Sequence, residues 1–194
     1  MLSQKVYVDN LILSENAKKL KGDIVECGVW KGGMIAGISE VLGDSRSYHL
    51  FDSFEGLPPA HEKDGQKAVA WQKDNNGPTY FDNCRAELED AEAAMRLSGR
   101  TKVKIHKGWF KDTLKDIPAS TGIALLRLDG DWYDSTYTCL ESLFDKVVAG
   151  GIVILDDYYH WEGCSKAVHD FLSKNDRTEK ICMNSSWTAY FIKN

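Results

Sequence analysis

Several features that mark whole classes of protein are missing from this 194-residue chain. No apolar run approaches the roughly 18 residues that a membrane-spanning helix requires. The first 20 residues lack the basic segment and unbroken apolar core of a secretion signal. Lys and Arg number 24 against 29 Asp and Glu and form no marked cluster, which removes the electrostatic footprint of a nucleic-acid-binding protein. These absences predict a cytoplasmic protein whose partner is a small molecule, and neither a nucleic acid nor a membrane.

Cysteines are few, and no two of them have the spacing of a metal-binding or redox pair. The chain has five, an odd number without any CxxC spacing: Cys27, Cys84, Cys139, Cys164 and Cys182. This argues against a disulfide framework and against a thiolate zinc site. We therefore expect reduced, mostly buried thiols.

Short apolar runs alternate with helix-like stretches along most of the chain. Five runs are predicted to be buried strands, because each is short, rich in Val, Ile and Leu, and ended by Gly or Asp: DIVECG, SYHLFD, KVKIHKG, IALLRLD and GIVILDD. In the segment 134–147 the apolar residues Leu140, Leu143, Phe144 and Val147 recur at helical spacing. The alternation predicts a mostly parallel sheet with helices on both faces, whose ligands bind beyond the carboxyl ends of the strands.

The C-terminus departs from this alternation. After a helix-like run over 164–174, the strand-like stretches EKICMN and TAYFIKN are separated only by residues 185–187, too few for a helical crossover. An antiparallel hairpin is predicted. We therefore expect an α/β fold of the class I methyltransferase (Rossmann-like) type, a mostly parallel seven-stranded sheet closed by that hairpin.

Residues 54–82 are polar, punctuated by Gly and Pro, and show no clear period. A loop of this length is usually a functional lid or disordered. Because this segment follows a strand end, we expect it to be a lid loop, at 54–82. The chain has the length of one ordinary domain, and we expect a single domain over residues 1–194.

Glycines mark the turn after the first predicted strand, in VECGVWKGG. Gly28 and Gly32 would let the backbone approach a nucleotide cofactor closely. Asp52 closes the second strand 24 positions after Gly28 (52 − 28 = 24), where an acid typically accepts hydrogen bonds from ribose hydroxyls. Gly108 and Trp109 follow the third strand, and the Trp109 ring is a candidate to cover the adenine, although it is equally compatible with the core. Together these residues predict nucleoside binding.

Aspartates follow the next two predicted strands. Asp129 and Asp131 end the fourth, and Asp156 and Asp157 end the fifth. If these strands are neighbours, the carboxylates meet at one sheet edge, where their mutual repulsion favours a compensating cation. Oxygen ligands suit Mg²⁺, Ca²⁺ or Mn²⁺, and a metal is favoured over the alternative in which these aspartates cap helices or face solvent. His160, just past the pair, is a weaker candidate for orienting a substrate.

At these residues the chain resembles the macrocin O-methyltransferase (TylF-like) family, metal-dependent enzymes that methylate sugar hydroxyls in natural products. The resemblance covers residues 20–172 and depends on five segments in the family's order: VECGVWKGG, FDSFEGLP, GWFKDTL, LRLDGDWYDST and VILDDYYHWEGCSKAV. It implies an O-methyltransferase that uses S-adenosylmethionine and Mg²⁺ and acts on a small-molecule hydroxyl, with a sugar favoured.

The resemblance also assigns roles by position. The residues that match contacts to S-adenosylmethionine are Glu26, Gly28, Asp52 and Ser53. The residues that match the metal ligands are Asp129, Asp156 and Asp157. Asp131 matches the proposed general base, and His160 is the second catalytic candidate.

Other functions stay open at this point. A nicotinamide-dependent short-chain reductase shares the glycine turn and Asp52, but it requires a Tyr-x-x-x-Lys pair, and no tyrosine here has lysine four positions later. A non-catalytic cofactor-binding module is disfavoured by the four strand-end aspartates. Family members usually carry a longer segment ahead of the glycine turn, part of which folds over the acceptor, so another polyol or a catechol-like diol also fits. The oligomeric state stays open, with a homo-oligomer allowed.

Overall fold

A computed structural model describes residues 2–118 and 120–194. The strands within these residues are β1 (Asp23–Cys27), β2 (Tyr48–Asp52), β3 (Val103–Lys107), β4 (Ile123–Leu128), β5 (Val147–Leu155), β6 (Cys182–Met183) and β7 (Ala189–Ile192). They form one sheet in the order β3-β2-β1-β4-β5-β7-β6. The first five strands pair in parallel, and β7 is antiparallel to both β5 and β6. The predicted fold class and the closing hairpin are confirmed.

Helices cover both faces of this sheet. They are α1 (Gln4–Ser14), α2 (Gly33–Leu42), α3 (Gly65–Lys73), α4 (Leu88–Leu97), α5 (Phe110–Thr113), α6 (Tyr133–Leu143) and α7 (Glu162–Lys174). Successive strand residues point to opposite faces, so Leu126 joins a core with α6 and α7 while Leu125 joins a core with α1, α2 and α4. Burial on both sides explains why the strand sequences are nearly continuous apolar runs.

Two predicted boundaries are wrong by a few residues. Helix α6 ends at Leu143, and after one 3-10 turn Val147 becomes the first residue of β5, because it pairs with Ile123 of β4. Strand pairing thus overrides the helical spacing at that position. Strands β4 and β5 end at Leu128 and Leu155, so the aspartates that follow lie in loops.

The segment 54–82 is not a featureless loop. It contains α3 and a 3-10 turn at Glu62–Asp64. Only Ala68 of α3 is buried, packed with Trp132, Trp161 and Cys164. Because α3 has nine residues and only one fully buried side chain, it lacks the long apolar stripe from which a helix is predicted.

No helix among the described residues combines the length and apolar composition needed to cross a membrane. All five cysteines are free, with Cys27, Cys139 and Cys164 buried, as predicted.

Candidate active site

One cavity of about 1470 Å³ opens at the carboxyl ends of β1, β2, β4 and β5. Strand order reverses between β1 and β4, and such a reversal point is where doubly wound sheets bind ligands. The predicted site residues that line the cavity are Glu26, Gly28, Asp52, Ser53, Gly108, Trp109, Asp129, Asp131, Asp156, Asp157 and His160. Gly32 is not among the lining residues.

The glycines of the first turn are required by the protein's own packing. Gly28 has a φ of 86°, and a Cβ there would lie 1.8 Å from the carbonyl oxygen of Asp129. Gly32 has a φ of 76° and precedes α2, and its Cβ would lie 2.9 Å from Cα of Ala91 in α4. Gly32 therefore allows α2 and α4 to pack closely, and its assignment as a cofactor contact stays a prediction.

Asp52 shapes the turn that faces it. Its Oδ2 accepts hydrogen bonds from the backbone N–H groups of Val29 and Trp30, each at 2.8 Å, and its Oδ1 accepts one from Phe54 at 2.7 Å. Ser53 Oγ donates to the carbonyl of Gly56 at 3.1 Å. The two strand ends are thus tied together, with the Asp52 carboxylate at the cavity wall. Burial raises the pKa of Asp52 above its ordinary value.

The three predicted metal ligands converge. One carboxylate oxygen from each of Asp129, Asp156 and Asp157 lies within 4.8 Å of the others. Strands β4 and β5 are in register at Leu128 and Leu155, so their next residues meet at the sheet edge. Burial raises the pKa of Asp156 to about 6 and raises that of Asp157 well above its ordinary value. A donor set of oxygen atoms alone fits a hard divalent cation.

Asp131 lies beside this cluster in a strained turn. Its φ is 57°, a left-handed conformation uncommon outside glycine. Asp131 therefore does not continue the extended conformation of β4, which ends at Leu128. Instead Oδ1 of Asp131 accepts a hydrogen bond from Nε1 of Trp161 at 2.9 Å, and its backbone N–H donates to Oδ2 of Asp157 at 3.0 Å. Burial, reinforced by the charge of Asp129, raises the pKa of Asp131 to about 8.

An aromatic cluster lies at the cavity. Trp71 comes from the segment 54–82, Trp132 and Trp161 precede α6 and α7, and Trp71 and Trp161 line the cavity. The rings of Trp71, Trp132 and Trp161 pack edge to face with centroids 5.1–6.0 Å apart. Lys67 of α3 lies over the Trp161 ring at 4.8 Å and donates to the carbonyl of His160 at 2.9 Å. The His160 ring is exposed and packs against Trp161.

Comparison with known proteins identifies the family. The family model described as Macrocin-O-methyltransferase (TylF) matches residues 6–193. The chain belongs to this family.

Curated relatives carry related names. Demethyldecarbamoylnovobiocin O-methyltransferase of Streptomyces niveus is 34% identical over 172 residues, which is 82% of this chain and 62% of the relative. The 8-demethyl-8-(2,3-dimethoxy-alpha-L-rhamnosyl)-tetracenomycin-C 4'-O-methyltransferase of Streptomyces olivaceus is 38% identical over 171 residues, 85% of this chain and 63% of the relative. The chain thus spans less than two thirds of the length of these relatives.

Solved structures agree on the fold. The O-methyltransferase NovP superposes with a TM-score of 0.80 at 28% identity and covers 96% of this chain, against 80% of that chain. The calicheamicin methyltransferase CalS11 superposes with a TM-score of 0.70 at 23% identity, over 98% of this chain and 80% of that chain. The TylF-family assignment and the methyltransferase fold therefore support each other.

Sequence reasoning missed two residues of this TylF-family site. Arg127 lies at 0% exposure in β4 and donates from one guanidinium to Glu26, Asp129 and Asp156. Its signal was visible, since an arginine inside the otherwise apolar run IALLRL has no reason to be buried without partners. Trp161 gave no such signal, because its contact with Asp131 depends on a turn that the sequence does not specify.

Proposed function

We propose that this chain is an S-adenosylmethionine-dependent and Mg²⁺-dependent O-methyltransferase that acts on a hydroxyl of a sugar or glycosylated natural product. The observation that carries the proposal is one continuous cavity, with Glu26 and Asp52 at the ends of β1 and β2 and the carboxylates of Asp129, Asp156 and Asp157 beyond β4 and β5. A methyl donor and an acceptor hydroxyl held at those two ends would meet between them.

Residues at the first end suit a nucleoside with a cationic amino-acid tail. The Oε2 atom of Glu26 is buried without a hydrogen-bond partner in the described residues, and a buried carboxylate oxygen in that condition requires a donor. Asp52 stands at the end of the neighbouring strand, where ribose hydroxyls would donate to it. Trp109 also lines the cavity, and its ring would stack on a base.

Residues at the second end suit the divalent cation. Asp129, Asp156 and Asp157 would hold it, and their oxygen-only donor set and close approach fit Mg²⁺. When bound, S-adenosylmethionine supplies the methyl group and the cation lowers the pKa of the acceptor hydroxyl. The residues of this chain position the acceptor and receive its proton.

Asp131 is the group proposed to receive that proton. A neutral alcohol is a poor nucleophile until its proton is removed, and a base with a pKa near the working pH serves this purpose best. The pKa of Asp131, raised by burial to about 8, lies in that range. Trp161 holds Oδ1, so Oδ2 is the oxygen left to face the acceptor.

The acceptor would lie against the aromatic wall formed by Trp71 and Trp161. Rings stack well on the apolar faces of sugars and of aromatic aglycones. The relative from S. olivaceus is named for a rhamnosyl-bearing acceptor, which supports the choice of a sugar. We extend the proposal to a cytoplasmic location, because free thiols are typical of a reducing compartment.

The test is methyl transfer to a panel of glycosides. The protein is incubated with S-adenosylmethionine, Mg²⁺ and each candidate acceptor, and mass spectrometry reports the addition of one methyl group. Removal of the cation with EDTA should abolish turnover, and added Mg²⁺ should restore it. Full activity after exhaustive EDTA treatment would exclude the metal, and methylation of nitrogen or carbon acceptors alone would exclude the O-methyltransferase.

A further inference from the structure

The guanidinium of Arg127 joins two halves of the site that lie on different strands. Arg127 is in the central strand β4, directly opposite Glu26 in β1. Its Nη1 donates to Oε1 of Glu26 and to Oδ2 of Asp129, both at 2.7 Å, and its Nη2 donates to Oδ1 of Asp156 at 2.6 Å. One side chain thus fixes carboxylates at the ends of three neighbouring strands.

This fork leaves each carboxylate with one committed and one uncommitted oxygen. Within the described residues, no hydrogen bond reaches the second oxygen of Asp129 or of Asp156. The second oxygen of Glu26 is buried and also has no partner. The committed oxygens set the plane of each carboxylate, and all three residues line the cavity.

An arginine is required for this arrangement because of its shape as well as its charge. The planar fork of Arg donates in fixed directions to more than one carboxylate, whereas the ammonium of Lys acts as a flexible point charge. Arg127 is fully buried, and so is Glu26 at 1% exposure. Burial makes the pairing strong, because an unpaired charge at such a depth is costly.

We propose that Arg127 is a positioning residue that couples the cofactor end of the cavity to the cation end. This inference depends on the proposed function, since it takes Glu26 to serve the cofactor and Asp129 with Asp156 to serve the cation. A substitution of Glu26 changes how the hydrogen bonds and the positive charge of the guanidinium are shared between Asp129 and Asp156. If the Glu26 charge is lost, Asp129 becomes the sole anionic partner of Nη1 and is held more fully by Arg127, which lowers its affinity for a cation.

The experiment compares two cofactor-side substitutions by titration with Mn²⁺, followed by electron paramagnetic resonance, without cofactor. Glu26→Gln removes a charge that touches Arg127. Asp52→Asn is the matched control, because it removes a cofactor-side charge whose hydrogen bonds, within residues 2–118 and 120–194, go to the backbone of Val29, Trp30 and Phe54 and not to Arg127. Neither residue belongs to the converging metal-ligand set. We expect Glu26→Gln to weaken Mn²⁺ binding by at least about fivefold, the lower end of ordinary coupling between sites. Asp52→Asn should stay within about twofold.

A second comparison assigns the effect to Arg127. In an Arg127→Lys background, which keeps the charge but not the fork, Glu26→Gln should weaken Mn²⁺ binding no more than Asp52→Asn does. If Arg127→Lys does not fold, the comparison of Glu26→Gln with Asp52→Asn in the parent still tests whether Glu26 is coupled to the cation site. Equal effects of Glu26→Gln and Asp52→Asn in the parent would overturn the coupling alone. A parent that binds no Mn²⁺ would overturn the proposed metal, and the coupling with it.

Discussion

Asp131 has the surroundings of a group that takes up a proton near neutral pH, with a pKa of about 8 and one oxygen held by Trp161. Asp131→Asn keeps the side-chain size but removes the base. We expect kcat to fall by about 10²–10⁴-fold, the usual contribution of general base catalysis. Affinity for S-adenosylhomocysteine, measured by calorimetry, should be nearly unchanged, because Asp131 is not at the cofactor end. If kcat stays within about threefold of the parent, Asp131 is a structural residue and His160 becomes the candidate general base.

A histidine pair outside the site, with His49 buried and His106 half-buried, makes stability depend on pH. Nδ1 of His49 lies 3.1 Å from Nε2 of His106, and Nε2 of His49 lies 3.3 Å from Oδ2 of Asp23. Burial lowers the pKa of both histidines. The unfolded chain then binds more protons than the folded chain as the pH falls through about 6.5, so the pair reduces the free energy of unfolding under acid conditions.

The site carboxyl groups titrate in the opposite sense, since a raised carboxyl pKa adds stability as the pH falls. The histidine effect is therefore measured as a difference between the parent and His106→Gln, by urea denaturation at about pH 7.5 and about pH 5.5. The variant should gain stability relative to the parent at the lower pH. A difference that is the same at both pH values would contradict the prediction.

At the scale of the element, the segment 54–82, for which a lid is predicted, is fastened to the site by a buried carboxylate. Asp64 is 1% exposed, and it accepts hydrogen bonds from the backbone N–H groups of Tyr133 at 2.7 Å and His61 at 2.8 Å. Tyr133 begins α6, which directly follows the loop that carries Asp129 and Asp131. Asp64 therefore links the segment 54–82 to the start of α6, directly after the acidic loop.

Substitution of Asp64 should loosen the lid without removing a site residue. Asp64→Ala loses both hydrogen bonds and should lower the free energy of unfolding by about 1.5–3 kcal/mol. Asp64→Asn keeps one acceptor oxygen, so its free energy of unfolding should lie between those of the parent and Asp64→Ala. Limited proteolysis within 58–82 should quicken in the same order and slow when cofactor and acceptor bind. Asp74→Ala, an exposed aspartate of the same segment, is the control. Equal cleavage rates with and without both ligands would contradict a lid.

The elements predicted correctly from the sequence are the strands that appear in it as nearly continuous apolar runs. Strands β1, β2, β4 and β5 and the order of the site motifs follow from such runs, because both faces of the sheet are buried. Helix α3 could not be predicted, since it is held in place by contacts of Ala68, Lys67 and Asp64 with distant residues. The amino-acid sequence of the segment itself does not indicate those long-range contacts.

At the scale of the whole molecule, the topology determines which residues meet. Predicting that Asp129 and Asp156 lie together required only that β4 and β5 be neighbours. The link from Asp129 to Glu26 through Arg127 required the position of β1 beside β4, a pairing of strands about 100 residues apart that sequence spacing alone does not reveal. The same neighbours bring the nucleoside end and the acidic end into one cavity.

That single cavity leads to a prediction about the whole protein's stability. A ligand that binds only the folded state adds RT ln(1 + [L]/Kd) to the free energy of unfolding, about 2.7 kcal/mol at a hundredfold excess over Kd. On the proposed function, S-adenosylhomocysteine should raise the melting temperature and NADH should not, because the buried carboxylate of Glu26 suits the cationic amino group of S-adenosylhomocysteine, whereas NADH carries no amino-acid tail. Asp52→Asn should reduce the shift, since ribose hydroxyls lose an acceptor. Differential scanning fluorimetry with each ligand provides the measurement. Stabilisation by NADH together with none by S-adenosylhomocysteine would contradict the methyl-donor assignment and reopen the nicotinamide-dependent alternative.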